Sequence, residues 1–372
     1  MLKNKIIGKL SASAENIIVR SSHCSRMRFN QNRCSKCADR CPHAAINLEG
    51  GLSIDYGACT ECMLCVSECP SGGLDLDPKD FYFLLTKLKK APMPVVGCKV
   101  KPEMDAHAHT FCLGSLSEER LLIFMVLLDA PVQINLTGCA SCKNRGIVDV
   151  LKKRLEAIEQ KISLKESEAR DYTLPPAPYT LHPTPYTLHA ARYTLNKITL
   201  VENKSALQYE DVPCDRRGFF TALKKITMES AAGFFDNSTE RESMNYSDKT
   251  LPSGRKLLNK VYSVVSEKPS KGLLDNYYYD VKVEDNCDVC FSCTGMCPAG
   301  ALKSTYDLQT ATEEPSYQGP SKLELFFFPS LCVGCGLCSD FCMSKSISVV
   351  QGFKGDSPFK MKCVKTVVIG ED

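Results

Sequence analysis

The chain has 372 residues, more than one hydrophobic core usually holds, so several domains are expected. Its 22 cysteines would mean a disulfide scaffold only in a short secreted protein, and a formal net charge of +3 favours neither nucleic acid nor an anionic membrane as partner. The N-terminal MLKNKIIGKLSASAENIIVR lacks the apolar core and cleavage site of a secretory signal, and the longest apolar run, Leu121 to Leu128, falls well short of the roughly 20 residues of a bilayer span.

The expectation is therefore a cytoplasmic chain without a membrane span, its cysteines reduced and occupied by metal. The first group, Cys34-x2-Cys37-x3-Cys41-Pro42, is irregular, because no cysteine stands three residues before Cys34. Cys24, just after the polar turn Ser21-Ser22, is the nearest substitute. A longer loop can deliver its thiolate, since closure costs grow slowly with length. The stretch INLEGGLSIDYGA then reads as a Gly-turned hairpin. It leads to Cys59, Cys62, Cys65 and Cys69 with Pro70, the C-x2-C-x2-C-x3-C-P run of bacterial [4Fe–4S] ligation, in which the fourth cysteine serves a second cluster.

From Pro78 the character changes. Asp77-Pro78 opens a helix through Phe81, Leu84, Leu85 and Leu88. Pro94 to Gly97 reads as a strand ending at Cys98. Cys112 precedes Ser115 and Glu118, a capping-box spacing before the apolar helix Leu121 to Leu128. Val132 to Leu136 alternates as a strand and ends at Cys139 and Cys142, before a helix carrying Ile147, Val150, Leu151, Leu155 and Ile158. Strand and helix alternating in this way imply a small parallel sheet. All four cysteines then fall at strand carboxyl ends or helix amino ends, where ligands bind and thiol pKa values drop. Cys98, Cys112, Cys139 and Cys142 are the candidate ligands of one metal site, a [2Fe–2S] cluster or zinc, with reactive or spare thiols as the other reading. His107 and His109 flank it and are read as loop residues.

Residues 172–195 repeat every seven positions, with tyrosines at Tyr172, Tyr179, Tyr186 and Tyr193, but their prolines exclude a coiled coil. An extended, disordered spacer without chemistry is expected over 166–200. A helical linker over 201–275 follows, with candidate helices at 216–235 and 255–266. The four-cysteine run then recurs at Cys287, Cys290, Cys293 and Cys297 with Pro298. It recurs again at Cys332, Cys335, Cys338 and Cys342, where Met343 replaces proline. The polar stretch from Ser304 to Lys322 reads as a hairpin insertion between them. Cys214 and Cys363 are left without a role.

Both ends, 1–77 and 276–372, resemble the dicluster ferredoxin domain. That resemblance implies crossed ligation of four [4Fe–4S] clusters. Cys24, Cys34, Cys37 and Cys69 would hold one cube, and Cys59, Cys62, Cys65 and Cys41 another. Cys287, Cys290, Cys293 and Cys342 would hold a third, and Cys332, Cys335, Cys338 and Cys297 a fourth. The middle module, 78–165, loosely resembles the iron–sulfur delta subunit of methyl-viologen-reducing hydrogenases, on Cys112-Leu113-Gly114 before a helix and Gly138-Cys139 with Cys142 after a strand. That family carries a [2Fe–2S] cluster and passes electrons to heterodisulfide reductases; its cysteine spacing differs from this one.

The fold class expected is multidomain, α+β and α/β: two ferredoxin-like dicluster domains flanking a small parallel module. Zinc sites lack a fixed x2-x2-x3-Pro run. No G-x-G-x-x-G follows a strand and no P-loop is present. The function expected is relay of single electrons between protein redox partners in anaerobic metabolism, by an electron carrier with no catalytic residue assigned. The alternative is the iron–sulfur subunit of a larger oxidoreductase of hydrogenase, heterodisulfide reductase or acyl-CoA reductase type.

Overall fold

The computed structural model describes residues 16–170, 197–211, 246–265, 274–308 and 322–368. The Tyr/Pro repeat, the 216–235 helix, Cys214 and most of the hairpin insertion lie outside the described residues.

In the N-terminal unit, β1 (Ile18–Val19) crosses the fold to pair with β4 (Leu74–Asp75), and β2 (Ile46–Asn47) pairs with β3 (Ser53–Ile54), both antiparallel. Gly50 and Gly51 turn the second hairpin with φ of 72° and 147°, angles that glycine adopts without steric cost.

Helix α1 (Pro78–Leu88) starts where Asp77 accepts the Lys79 amide at 2.9 Å and proline occupies the first turn. Then follow β5 (Val95–Cys98), β6 (Ala108–Thr110), α2 (Glu118–Leu127), β7 (Val132–Asn135), α3 (Ile147–Arg170) and β8 (Ile198–Val201). The strands form one parallel sheet in the order β6-β5-β7-β8. Two sequence expectations are corrected. The residue capping α2 is Ser117, whose hydroxyl accepts the Arg120 amide, and Ser115 belongs to a short turn before it. The sheet also takes its edge strand β8 from beyond the repeat: Ile198 lies opposite Val132, and Ile198 and Val201 are buried. The module therefore extends past a boundary at 165, and residues 198–201 are neither spacer nor linker.

Helix α4 (Ser253–Val265) is more than a tether. Its Leu257, Leu258, Val261 and Tyr262 are buried in the core shared with the N-terminal unit and the module. Burying an aliphatic side chain stabilises by about 1.5–3 kcal/mol. Asn259 reaches the other way, donating to the Ser330 carbonyl at 2.9 Å. In the C-terminal unit β9 (Tyr279–Val283) pairs with a later strand, β12 (Ile347–Gln351). Between and after them β10 (Leu302–Ser304), β11 (Lys322–Phe327) and β13 (Lys362–Val368) make an antiparallel sheet. Its smaller core holds Val281, Leu302, Leu325, Phe327 and Ile347. Among the described residues no helix is long and apolar enough to cross a membrane.

Asp75 joins these parts. Its buried carboxylate accepts the Ser253 amide at 2.9 Å and the Ser253 hydroxyl, so the β4 strand caps α4, and Arg20 pairs with it at 3.4 Å. Asp75→Ala should lower the thermal unfolding midpoint and cost about 3 kcal/mol, because Arg20 and the Ser253 donors lose a buried partner. An unchanged midpoint would refute this role.

Candidate functional site

The C-x2-C-x2-C loops share one backbone device. In Cys59–Cys65 the residues on either side of the second cysteine, Glu61 and Met63, have φ of 53° and 62°. Val289 and Phe291 occupy the same places in Cys287–Cys293, at 53° and 58°, and Gly334 and Gly336 in Cys332–Cys338, at 65° and 74°. A left-handed conformation costs a non-glycine residue roughly 1–2 kcal/mol, and it is an outlier for a β-branched valine. Three loops bearing it at matching positions means that the surroundings hold it there. Residues alternating right- and left-handed turn successive amides inward, forming a nest for anions and iron–sulfur centres.

A second left-handed position lies three residues after each fourth cysteine. It is Ala44 after Cys41, Gly72 after Cys69, Gly300 after Cys297 and Lys345 after Cys342. Beyond it the chain doubles back and aims amides at the sulfurs. Ala45 donates to Cys41 at 3.3 Å, Leu74 to Cys69 at 3.5 Å and Ala301 to Cys297 at 3.2 Å.

The first loop lacks the flanking pair: Ser35, beside Cys34, has φ of −132°. Its missing thiol comes from the turn at Cys24. Burial pushes the Cys37 thiol up to about 12, and neighbouring Cys69, Cys24 and Cys34 push in the same direction. Gly73 lets the Cys24 turn approach, since a Cβ there would lie 3.1–3.3 Å from Cys24 atoms. Cys24, Cys34, Cys37 and Cys69 therefore lie together, the Cys24 group.

Cys41 acts on Cys59, Cys62 and Cys65, the Cys41 group, all three raised first by burial. In the C-terminal unit Cys297 lies with Cys332, Cys335 and Cys338, the Cys297 group; burial raises Cys332 to about 12 and Cys335 to about 11. Cys342 lies with Cys287, Cys290 and Cys293, the Cys342 group; burial raises Cys293 to about 12. For Cys342 itself burial is outweighed by the Ser344 and Ser346 hydroxyls, each 3.4 Å away, and by the amides of Ser346 and Ile347, which together bring it down to about 7.

In the module, Cys98 ends β5, Cys112 follows β6, and Cys139 and Cys142 follow β7, all at the carboxyl edge of the sheet. They form a middle group: Cys112 is raised to about 12 by burial with Cys98 and Cys139 adding to it, and Cys139 to about 12 by burial with Cys98 and Cys142 adding. The depressed thiol pKa values expected from helix amino ends are thus corrected for Cys98, Cys112 and Cys139, all raised by burial. The physical reason is desolvation, which outweighs the backbone amides of Lys101 and Val100 at Cys98 and of Gly114 at Cys112. His107 accepts the Val95 amide and bonds to the Glu210 carbonyl, while His109 bonds to the Met104 carbonyl. Both imidazoles serve the backbone. Cys363 bonds within β13, to Thr366 at 3.3 Å.

Sequence reading missed how closely the module sits on the N-terminal unit. A Cβ on Gly114 would lie 2.1 Å from the Cys62 carbonyl oxygen. Asn144, buried, accepts from the Thr60 hydroxyl at 2.6 Å, donates to the Thr60 carbonyl at 3.2 Å, and has its amide 3.4 Å from the Cys142 sulfur. Arg154 donates to the Leu116 carbonyl, the Ser67 hydroxyl and the Glu68 carboxylate. Gly114 beside Cys112 was the one visible hint.

Among the described residues no group of three or more His, Cys, Asp or Glu is arranged to hold a single metal ion. The nests at Cys59–Cys65, Cys287–Cys293 and Cys332–Cys338 suit an iron–sulfur core.

Residues 52–75, with Cys59, Cys62, Cys65 and Cys69, match the family model of a 4Fe-4S binding domain. No curated protein and no solved structure matches the chain. The chain therefore carries an iron–sulfur domain of electron-transfer type.

Gly114→Ala should force the module off the Cys62 loop, costing about 1–3 kcal/mol, because the opposing atom is a backbone oxygen that cannot step aside. Limited proteolysis should then separate module and N-terminal unit faster; an unchanged pattern would contradict the contact. The thiol pKa values set a pH dependence too. Raised from 9.0 to about 12 in Cys37, Cys112, Cys139 and Cys293, they favour the neutral thiol in the folded, metal-free chain. That contribution to metal-free stability is complete below pH 9 and is lost as pH rises through 12. Iron must displace those protons. Chelator should strip iron faster at pH 6 than at pH 8, and equal rates would count against thiolate ligation.

Proposed function

We propose that the chain is a multi-cluster electron-transfer protein with four [4Fe–4S] clusters and a fifth centre in the module. The reading is carried by one observation: the same left-handed positions recur around the cysteines of both terminal units, over thiols that lie in fours. The Cys24 and Cys41 groups would hold the N-terminal pair of cubes, and the Cys297 and Cys342 groups the C-terminal pair. The middle group would hold a [2Fe–2S] cluster, with zinc as the alternative.

Clusters bound there take up and release single electrons. The protein fixes how readily each does so. Amides of Ala45, Leu74 and Ala301 and hydroxyls of Ser344 and Ser346 aim at ligand sulfurs and stabilise negative charge on them. Burial of the middle thiols keeps water from that centre, whereas Cys290 is exposed. Partners would be other redox proteins, which fits both an independent carrier and a subunit of a larger oxidoreductase.

Anaerobically purified protein should carry about 16 Fe in cubes and about two more in the module, with matching acid-labile sulfide. A total near eight without broad visible absorbance would overturn the four-cube assignment. Replacing Cys139 and Cys142 together by serine should remove about two Fe and leave the cubes. Spectra and iron unchanged by that double substitution would reject the fifth centre, and zinc lost in its place would identify a structural site.

A further inference from the structure

The turn that supplies Cys24 also reaches into the other ferredoxin-type unit. Arg28 donates from Nε to the Met296 carbonyl at 3.0 Å and from Nη2 to the Gly295 carbonyl at 3.1 Å, immediately before Cys297. Its Nη1 holds the Ser22 carbonyl at 2.6 Å on its own side, so one guanidinium clamps both units. Asn32, buried, donates to Asp340 at 2.6 Å, between Cys338 and Cys342, and Phe29 packs edge-on against Phe341 with centroids 5.0 Å apart. Cys34 of the Cys24 group and Cys335 of the Cys297 group line the same cleft. These are contacts between two cysteine sites, not merely between two surfaces.

Ser25 adds an independent clue. The residue is 2% exposed, and its hydroxyl has no hydrogen-bond partner meeting ordinary geometry. A buried hydroxyl without a partner costs about 1–3 kcal/mol. The group it faces is the Cys335 sulfur. A neutral thiol is a weak acceptor, but an iron-bound thiolate is a strong one. The hydroxyl is thus placed to be satisfied once Cys335 is a ligand.

We infer that electrons cross between the two ferredoxin-type units at this contact, from the Cys24 cube to the Cys297 cube or back, with Ser25 and Arg28 as positioning residues for the Cys297 cube. The inference rests on the four-cube reading. In each crossing one cube is oxidised as the other is reduced, and no bond or proton is exchanged. Hydrogen bonds to sulfur and nearby positive charge favour the reduced, more negative cube. Ser25 and Arg28 therefore raise the potential of a cube that belongs to the other unit.

The contact also sets an order for all five centres. The middle group abuts the Cys41 group through Gly114 and Asn144. Cys65 of the Cys41 group lies within electrostatic reach of Cys37, and Cys338 of the Cys297 group within reach of Cys293. The line runs from the middle group to the Cys41, Cys24, Cys297 and Cys342 groups, ending at exposed Cys290.

Redox titration of the full, cluster-loaded chain followed by EPR tests this. Ser25→Ala should keep wild-type iron and move the midpoint of one cube to lower potential, and Ser25→Thr should restore it. Curves that superimpose at full iron would overturn the inference. As a second arm, Cys59→Ala with Cys62→Ala and Cys290→Ala with Cys293→Ala would leave one cube in each unit, about eight Fe in cubes beside the roughly two of the module. Reduced, this variant should show spin–spin splitting between its two cubes; two unsplit signals at that iron content would also overturn the inference. Wild-type protein holding too little iron for four cubes would instead refute the reading beneath it.

Discussion

Each fourth cysteine lies with the other loop's thiols, and this exchange is the constraint from which most of the structure follows. Cys69 lies with Cys24, Cys34 and Cys37, while Cys41 lies with Cys59, Cys62 and Cys65. On the proposed cluster reading neither loop completes its ligand set alone, so the two fold as one body. The C-terminal unit repeats the exchange with Cys297 and Cys342. The left-handed residue three positions past each fourth cysteine makes the exchange possible, because the chain must reverse there to bring an amide back onto the sulfur. Strain at Ala44, Lys345, Val289 and Phe291 is tolerated because the surroundings over-determine those positions. Metal binding that contributes folding energy would supply part of that determination.

The same economy shows where units meet. Burying a guanidinium is costly unless its donors are used. Arg154 and Arg120 are buried, and each is tied to backbone or side-chain oxygens: Arg154 to Leu116, Ser67 and Glu68, Arg120 to Ser115 and Ser253. Arg154 comes from the module and Glu68 from the end of the short helix Leu64–Glu68, between Cys65 and Cys69. The module is therefore fastened to the segment that carries two cysteines of the N-terminal unit. Sliding of one against the other would break a buried ion pair and, at Gly114, drive backbone into backbone.

The parts of this fold governed by local chemistry were readable in the sequence. The cap at Asp77, the β5 and β7 strands and the α1 and α3 helices follow from spacing and turn residues close in the chain. Edge strands β6 and β8 were not readable: β6 has three residues, and β8 gains its meaning only from pairing with Val132–Asn135 across an intervening repeat. Cysteine spacing named the candidate ligands of the terminal units other than Cys24, and strand and helix order named those of the module. What it could not give was the backbone between them, since the positive φ at Gly334 and Gly336 is visible as glycine whereas the equivalent angles at Glu61, Met63, Val289 and Phe291 are not. Ser25, Arg28, Asn32 and Asn144 carried no signal either, because their meaning lies in contacts spanning tens to hundreds of residues.

If the cysteine groups hold the proposed clusters, the distribution of burial and charge gives the array a direction-dependent character. At one end the middle thiols are largely buried beneath the sheet edge, and Asn144 stands between them and the Cys41 loop. At the other, Cys290 is exposed, Met343 is 93% exposed beside Cys342, and Tyr306 packs edge-on against Phe291 at 5.9 Å while itself half exposed. Solvent exposure and sulfur hydrogen bonding are the levers that separate cluster potentials on a common scaffold. They are set differently at each group here: burial prevails around Cys112 and Cys139, and hydroxyls and amides prevail around Cys342. A chain of five alike sites would offer an electron no preferred resting place. Unequal environments around alike cysteine loops would give it one, and the inequality comes from residues outside the cysteine motifs.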